Sequence, residues 1–368
     1  MLTIADITDF LNQFAPLSLA ASWDNVGLLL GASSAPVRSI MTCLTVTPEV
    51  VREAVDAGAS LIITHHPILF RPTQRLTAAT VEGQMLLDLA SAGIAVYSPH
   101  TAFDNCAGGI NDILAQRLGL TEITSLRDQE GPGQCKIVVF VPDQDLAKVA
   151  DALFAAGAGQ IGQYSQCSFR ISGTGTFFGS ETTRPAVGEK GRREEVNEWR
   201  LEAVCPEPAL EGVLAALRQA HSYEEPAYDV YALRPASNRC GIGRLGILPQ
   251  PTSLQTLAHL ARTSLAANIV QMVGDSGRLV QRVAIVCGAG GDVVAAAAGK
   301  KADVLLTGEA RFHDILSAQS QKLCLLLPGH YATERCGIEE LAEGLQRQFP
   351  EITVWSSRAE ADPLKLLE

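Results

Sequence analysis

Two passages of alternating apolar strands and amphipathic helices, one at each end of the 368-residue chain, constrain its fold more than any other feature. In the first third the pattern predicts a helix over Ile4–Phe14 and a strand at Ile40–Val46. Thr47-Pro48-Glu49 then opens a helix that runs to Ala57, with Pro at its first turn. A strand at Leu61–Thr64, a helix at Ala79–Ala92 and a strand at Ala95–Ser98 follow. The last third repeats this grammar. Val280–Val286 reads as a strand, Gly288-Ala-Gly-Gly as a turn and Asp292–Lys300 as a helix. Val304–Thr307 reads as a strand, Phe312–Gln319 as a helix and Leu323–Leu327 as a strand. A β-α-β-α-β order implies parallel strands with right-handed crossovers, and ligands at the carboxyl ends of the strands.

The two passages also match in detail. Ala59-Ser-Leu-Ile-Ile-Thr-His-His66 aligns with Ala302-Asp-Val-Leu-Leu-Thr-Gly-Glu309, and Ser98-Pro-His-Thr-Ala-Phe-Asp104 with Pro328-Gly-His-Tyr-Ala-Thr-Glu334. A diverged duplication explains this, and so does chance convergence of common αβ grammar. Between them, Cys135–Val141, Phe169–Phe178, Arg200–Cys205 and Ala227–Leu233 read as strands, with helices at Gln144–Ala156 and Leu210–Ala220. That β-α-β-β-α-β order is the ferredoxin-like one. Linker-like flanks (Gln129-Glu-Gly-Pro-Gly and Arg234-Pro-Ala-Ser-Asn) bound it, and a charged loop, Gly188–Glu198, interrupts it. The expected fold class is α/β: a split domain of two related αβ halves with parallel-type sheets, residues 1–128 and 236–368, carrying an inserted α+β module at 129–235.

Composition narrows the function. With 29 Lys+Arg against 40 Asp+Glu and a net charge of −11, the chain has no excess of cations to replace counterions on a phosphate backbone, so no nucleic-acid partner is expected. The apolar runs stop short of the ~18 residues a membrane span needs. The acidic N-terminus lacks the basic start of a secretion signal, so a soluble, cytoplasmic protein without a membrane partner is expected. Nine scattered cysteines without a C-x-x-C pair read as reduced and buried. No Walker pattern or nucleophile elbow is present. Gly288–Gly291 is read as a tight turn in preference to an anion cradle.

Four of seven histidines stand at strand ends beside Pro, Gly or acid: His65, His66, His100 and His330. Adjacent residues leaving a strand point to opposite sides, so His65 and His66 can serve two different metal ions. His100 with Asp104, and His330 with Glu334, are four apart and share a face if the segment is helical. Imidazole plus carboxylate suits Zn, Fe or Mn, and a shared carboxylate would let two ions sit ~3.5–4 Å apart. The competing reading is that these histidines cap strands and bond locally. His259 reads as a packing residue in an apolar helix. His313, close after Thr307-Gly308-Glu309, reads as a residue that could orient a ligand.

The chain resembles, end to end, the NGG-interacting-factor-three-like family, whose members carry the name GTP cyclohydrolase I type 2 homologues. The resemblance lies in Ser22-Trp-Asp-Asn-Val-Gly27, Thr64-His-His-Pro67, His100-Thr-Ala-Phe-Asp104, Thr307-Gly-Glu309 and Gly329-His-Tyr-Ala-Thr-Glu-Arg335, in order. It implies a dinuclear centre of two divalent ions per chain, with His65, His66, Asp104, His330 and Glu334 as ligands and Glu334 bridging. His100 becomes a neighbour. It also implies ring-shaped homo-hexamers and a PII-like character for the insert, whose hallmarks are Gln160–Phe169 and His221–Asp229. Three positions depart from the family pattern: Leu44-Thr-Val-Thr47 lacks a usual Asp, Ala102 stands for Asn, and Ser222 for Pro.

The expected function is a metal-dependent hydrolase of a small phosphorylated or heterocyclic substrate; Trp23, Asp24, Asn25 and Glu309 read either as residues that contact substrate or orient ligands, or as turn-capping and packing residues. The alternative is a non-catalytic metal chaperone or store, or a scaffold whose insert senses a ligand.

Overall fold

The structure, a computed structural model, describes residues 1–128, 133–162, 164–233 and 240–365. The linker-like flanks fall almost wholly outside the described residues, as does Gln163 of the Gln160–Phe169 stretch. The chain divides into two compact units, Met1–Gln129 with Asn238–Glu368, and Glu130–Ser237.

The first unit holds two mixed sheets. In one, Ser39–Cys43, Leu61–Thr64 and Ala95–Ser98 run parallel, extended by Thr353–Ser356 on one side and by antiparallel Gly27–Leu30 on the other. In the other, Leu279–Ala289, Val304–Glu309 and Cys324–Leu327 run parallel. Gly241–Ser253 and Thr121–Asp128 continue that sheet antiparallel on one side, and Gln271–Val273 on the other. The expected α/β class with parallel-containing sheets is what the structure has: the centres are parallel, and antiparallel strands add to their edges. Gly241–Ser253 escaped detection because three glycines and two prolines break its apolar alternation.

Burial explains why the central strands read so clearly. Every residue of Leu61–Thr64 and Cys324–Leu327 is buried, since alternate side chains enter different layers. Leu61 and Ile63 share a core with Ile285, Leu306 and Leu326 of the other sheet, into which the helices Ile4–Phe14 and His330–Gln348 project Ile7, Leu11 and Leu345. Ile62 and Val96 pack on the opposite layer with Val50 and Ala54 of the helix Pro48–Asp56. The two halves of the unit are also joined by a buried ion pair. Arg244 and Asp112 meet at 2.8 and 3.0 Å, and Arg244 donates further to the carbonyls of Cys106, Gly241 and Gly243.

The terminal strand Thr353–Ser356 is held by one carboxylate. Glu53 accepts from the Ser357 hydroxyl at 2.6 Å and from the N–H groups of Arg358 and Ala359. Burial alone would raise its carboxyl, but these bonds outweigh it and hold it below the usual 4.5. A depressed folded-state value stabilises the fold above the unfolded value and loses that contribution as pH falls through the folded one. Glu53→Gln is accordingly expected to lower the melting temperature near neutral pH and to shrink its gap from the parent below about pH 4. Thermal melts at pH 7 and pH 3.5 check this; an equal gap at both pH values would refute it.

In the second unit four antiparallel strands lie in the order Phe169–Phe178, Arg193–Pro206, Gln134–Pro142, Tyr228–Leu233. The helices Leu146–Ala155 and Leu210–Ala220 bury Val149, Leu153, Val213 and Leu217 against Ile137, Val139 and Leu201. The end of the expected charged loop is strand here. From Arg193 on, its residues pair with Phe169–Phe178, and charged side chains are tolerated because this ribbon is largely exposed. Among the described residues no helix is long and apolar enough to cross a membrane.

Candidate metal centre

The parallel strands of both sheets end at one place. Leu61–Thr64 delivers His65 and His66, and the helix His100–Asn105 after Ala95–Ser98 carries Asp104. From the other sheet, Cys324–Leu327 leads through Gly329 into the helix that carries His330 and Glu334. The structure thus brings together the five residues singled out by the resemblance.

Glu334 is the hub. Its Oε1 lies 3.7 Å from His65 Nε2, and its Oε2 lies 3.1 Å from His66 Nε2 and 3.0 Å from His330 Nε2. His65 Nε2 is also 3.6 Å from Asp104 Oδ1. The adjacent histidines therefore address opposite oxygens of one carboxylate. His66, His330 and Glu334 have donor atoms within 4.8 Å of one another, as do His65, His66 and His100; both groups could hold a metal ion. His65 Nδ1 and Nε2, Asp104 Oδ1 and Glu334 Oε2 are buried without a hydrogen-bond partner. Orphaned buried polar atoms cost about 1–3 kcal/mol each, and four at one point is a concentration that an ordinary core avoids.

Electrostatics hold the cluster in opposed charge states. Burial would raise the Glu334 carboxyl, but the imidazoles of His65, His330 and His66 drive it well below the carboxylate range. Contact with Glu334 pushes His330 up to about 9 despite partial burial. Burial works to lower His65, and the Asp104 and Glu334 carboxylates outweigh it, so its imidazole is raised. His66 moves down, chiefly through burial. Asp104 moves up through burial and through the charge of Glu334.

The Nδ1 atoms of His66, His330 and His100 are oriented by neighbours. His66 Nδ1 meets the Thr45 hydroxyl at 2.7 Å, and His330 Nδ1 meets Glu309 Oε1 at 3.1 Å. His100 Nδ1 meets Asp24 Oδ1 at 2.7 Å, while Asn25 donates to the Leu69 carbonyl. Trp23 is 63 % exposed, with its ring 5.9 Å from that of Phe70. His100 shares a short helix with Asp104, yet its one ion pair among the described residues is with Asp24. Two expectations are corrected. His259 is exposed on the outer face of Leu254–Ser264, its apolar neighbours Leu257 and Ala261 having taken the buried face. His313 is exposed too, its ring 5.8 Å from that of Phe312, and among the described residues it makes no ion pair with the cluster.

Sequence reasoning missed the glycines. The strand Leu279–Ala289 runs through the first half of the expected turn, and a Cβ on Gly288 would lie 2.2 Å from Glu334 Oε1. Gly288 also has φ +59, a left-handed conformation costly to other residues. A Cβ on Gly308 would meet the Gly288 carbonyl at 2.6 Å and His330 Cα at 2.8 Å. Gly288 is thus the cradle in which the hub carboxylate sits, and Gly308 lets its strand approach Gly288 and the His330 backbone; the only signal in the sequence was their position at strand ends. Gly288→Ala is expected to displace Glu334 and weaken divalent-ion uptake at least tenfold, a typical loss when a ligand is misoriented. Calorimetric titration with Zn²⁺ checks this, and parental affinity in the variant would refute it.

The chain is 35 % identical over 364 residues, 98 % of each sequence, to the GTP cyclohydrolase 1 type 2 homolog of Halalkalibacterium halodurans. It is 36 % identical over 326 residues to that of Bacillus subtilis, covering 89 % of this chain and 87 % of that one. Its fold is similar to the crystal structure of a Bacillus cereus protein related to NIF3, with a TM-score of 0.81 at 33 % identity, covering 100 % of this chain and 99 % of that one. A Staphylococcus aureus protein follows, with a TM-score of 0.78 at 27 % identity and the same coverage. The profile of Duf34/NIF3 (NGG1p interacting factor 3) matches residues 2–363, and the chain belongs to that family.

Proposed function

We propose that the cluster binds two divalent ions per chain, with His65 and Asp104 on one, His66 and His330 on the other, and Glu334 bridging them. The observation that carries this reading is the convergence of three imidazole nitrogens on the two oxygens of the Glu334 carboxylate, beside His65 and Asp104 atoms that are buried without hydrogen-bond partners. Nitrogen and carboxylate donors together suit Zn, Fe or Mn. Two such ions would supply Lewis acidity for a hydrolytic reaction and draw the pKa of water toward neutrality. The chain's own residues would do the rest. Thr45 and Glu309 fix the rings of His66 and His330, and the glycine cradle sets Glu334. Partial exposure of the His66 and His330 side chains, 29 % and 36 %, leaves a way in for a small molecule.

The function this supports is metal-dependent hydrolysis of a small phosphorylated or heterocyclic substrate by a cytoplasmic homo-hexamer. The cyclohydrolase wording in the relatives' names suggests a heterocycle. We read residues 129–235 as a ferredoxin-like, PII-like insert in a split domain; the strand order of the second unit supports this. A cavity of about 730 Å³ in that unit, lined by Phe140, Phe177, Glu198, Arg200 and Tyr223, favours a second reading in which the insert senses a ligand and the ions are stored.

The test is elemental analysis of the purified chain, followed by a panel of phosphoesters, pyrophosphate and GTP, with and without chelator. About two ions per chain and chelator-sensitive turnover are expected. Two ions without turnover would favour the storage reading, and fewer than about one after reconstitution would overturn both.

A further inference from the structure

We infer that Asp24 and His100 form a carboxylate–imidazole pair that presents His100 Nε2 as a hydrogen-bonding contact for the oxyanion of a ligand drawn to the metal cluster. The inference rests on the two-ion reading above and names the group that would recognise the ligand there. The Asp24 side chain is fully buried. One of its oxygens meets His100 Nδ1, and the other accepts from the hydroxyl and N–H of Thr101, at 2.5 and 3.2 Å. Burial would raise this carboxyl, but the bonds from His100 and Thr101 outweigh it and keep it low. An imidazole that gives Nδ1–H to a buried carboxylate has its ring plane and tautomer set, and Nε2 is the nitrogen left over.

That free nitrogen has somewhere to point. The His100 ring lies 5.0 Å from His65 and 5.6 Å from His66, and a nitrogen of each ring falls in one group spanning 4.8 Å. Yet His100 makes no approach to Glu334 or Asp104 like those of His65, His66 and His330; its one ion pair among the described residues is with Asp24. It therefore stands beside the cluster without an ion pair to either of the carboxylates that close it, among the described residues. The backbone is bent to keep it there: His100 has φ +28, directly after Pro99 and at the first turn of its helix. Such a value in a residue other than Gly persists only where surrounding bonds over-determine it, and Asp24 and Thr101 supply those bonds. The side chain retains 13 % exposure, enough for a ligand to touch.

The test uses the full chain reconstituted with Co²⁺, and inorganic phosphate near neutral pH as the probe. Phosphate there carries both O–H and O⁻, so it can meet Nε2 as donor or acceptor. The parent is expected to take up two Co²⁺ and to bind phosphate with a change in the Co²⁺ visible bands. H100A and D24N should take up Co²⁺ as the parent does, with the same phosphate-free spectrum, but bind phosphate about 10- to 100-fold more weakly by calorimetry, the range for a hydrogen bond to a charged group. If H100A loses an ion or changes the phosphate-free spectrum, His100 is a ligand and the inference is wrong. It is equally wrong if the parent loads Co²⁺ and does not bind phosphate, or if both variants bind phosphate normally; in those cases the two-ion reading stands. A parent that takes up less than about one Co²⁺ sinks the two-ion reading itself. Should H100A fail to melt cooperatively, D24N decides alone, because it leaves the ring in place.

Discussion

Glu334→Gln is expected to abolish binding of both ions, reducing metal content from about two per chain to well under one after dialysis against Zn²⁺. The reason is geometric. Among the described residues Glu334 is the carboxylate that faces His65, His66 and His330, at 3.7, 3.1 and 3.0 Å, so both proposed ion positions depend on it. Gln keeps the shape but replaces one anionic oxygen with a donor, which confronts an imidazole instead of an ion. Asp104→Asn is the control: among the described histidines Asp104 pairs with His65 alone, at 3.6 Å, so its loss should cost one ion and spare the other. Elemental analysis of the two variants side by side measures this. A Glu334→Gln protein that still holds two ions would end the bridging assignment, and equal losses in both variants would end the division into two positions.

The largest effect on stability is expected from Arg244→Met, at about 3–5 kcal/mol. The Arg244 side chain is fully buried, and its guanidinium bonds are divided between Asp112 and three carbonyls. Removing it strands a nearly buried Asp112, which would retain only the Gly108 N–H at 2.7 Å as a partner. The penalty should therefore fall largely on the survivor. Arg244→Met with Asp112→Leu is expected to recover much of the loss, because an apolar pair leaves no unpaired charge. Urea denaturation of the parent, both single variants and the double variant gives the coupling directly. A single variant within about 1 kcal/mol of the parent would show that the charge reaches water after all.

Much of this site was legible from local chemistry. His65-His66-Pro67 follows a four-residue apolar strand, and His330 and Glu334 are four apart behind a Gly, so strand alternation predicted opposite sides for the two histidines and helical period a shared face for His330 and Glu334. The strands Leu61–Thr64 and Ala95–Ser98 and the helix Ile4–Phe14 coincide with their expected limits, because continuous burial or clean periodicity leaves no competing pattern. Spacing could not rank His100 against His65 and His66. All three follow strands, and only the position of Asp24, 76 residues upstream, separates their roles. Gly288 likewise reads as a turn, since nothing near it in the chain announces that the Glu334 carboxylate occupies the space where its side chain would be.

By itself, then, the sequence determined the central strands, the helices that cover them and the residue types present at their ends. Those properties depend on neighbours within a few positions, where backbone period and burial act. The tertiary structure alone decided that the ends of two separate sheets meet, that one carboxylate lies among three imidazoles, and that Arg244 ties the two halves together. Those are contacts across more than a hundred residues, set by how covered sheets pack, and no local pattern encodes the distance between them.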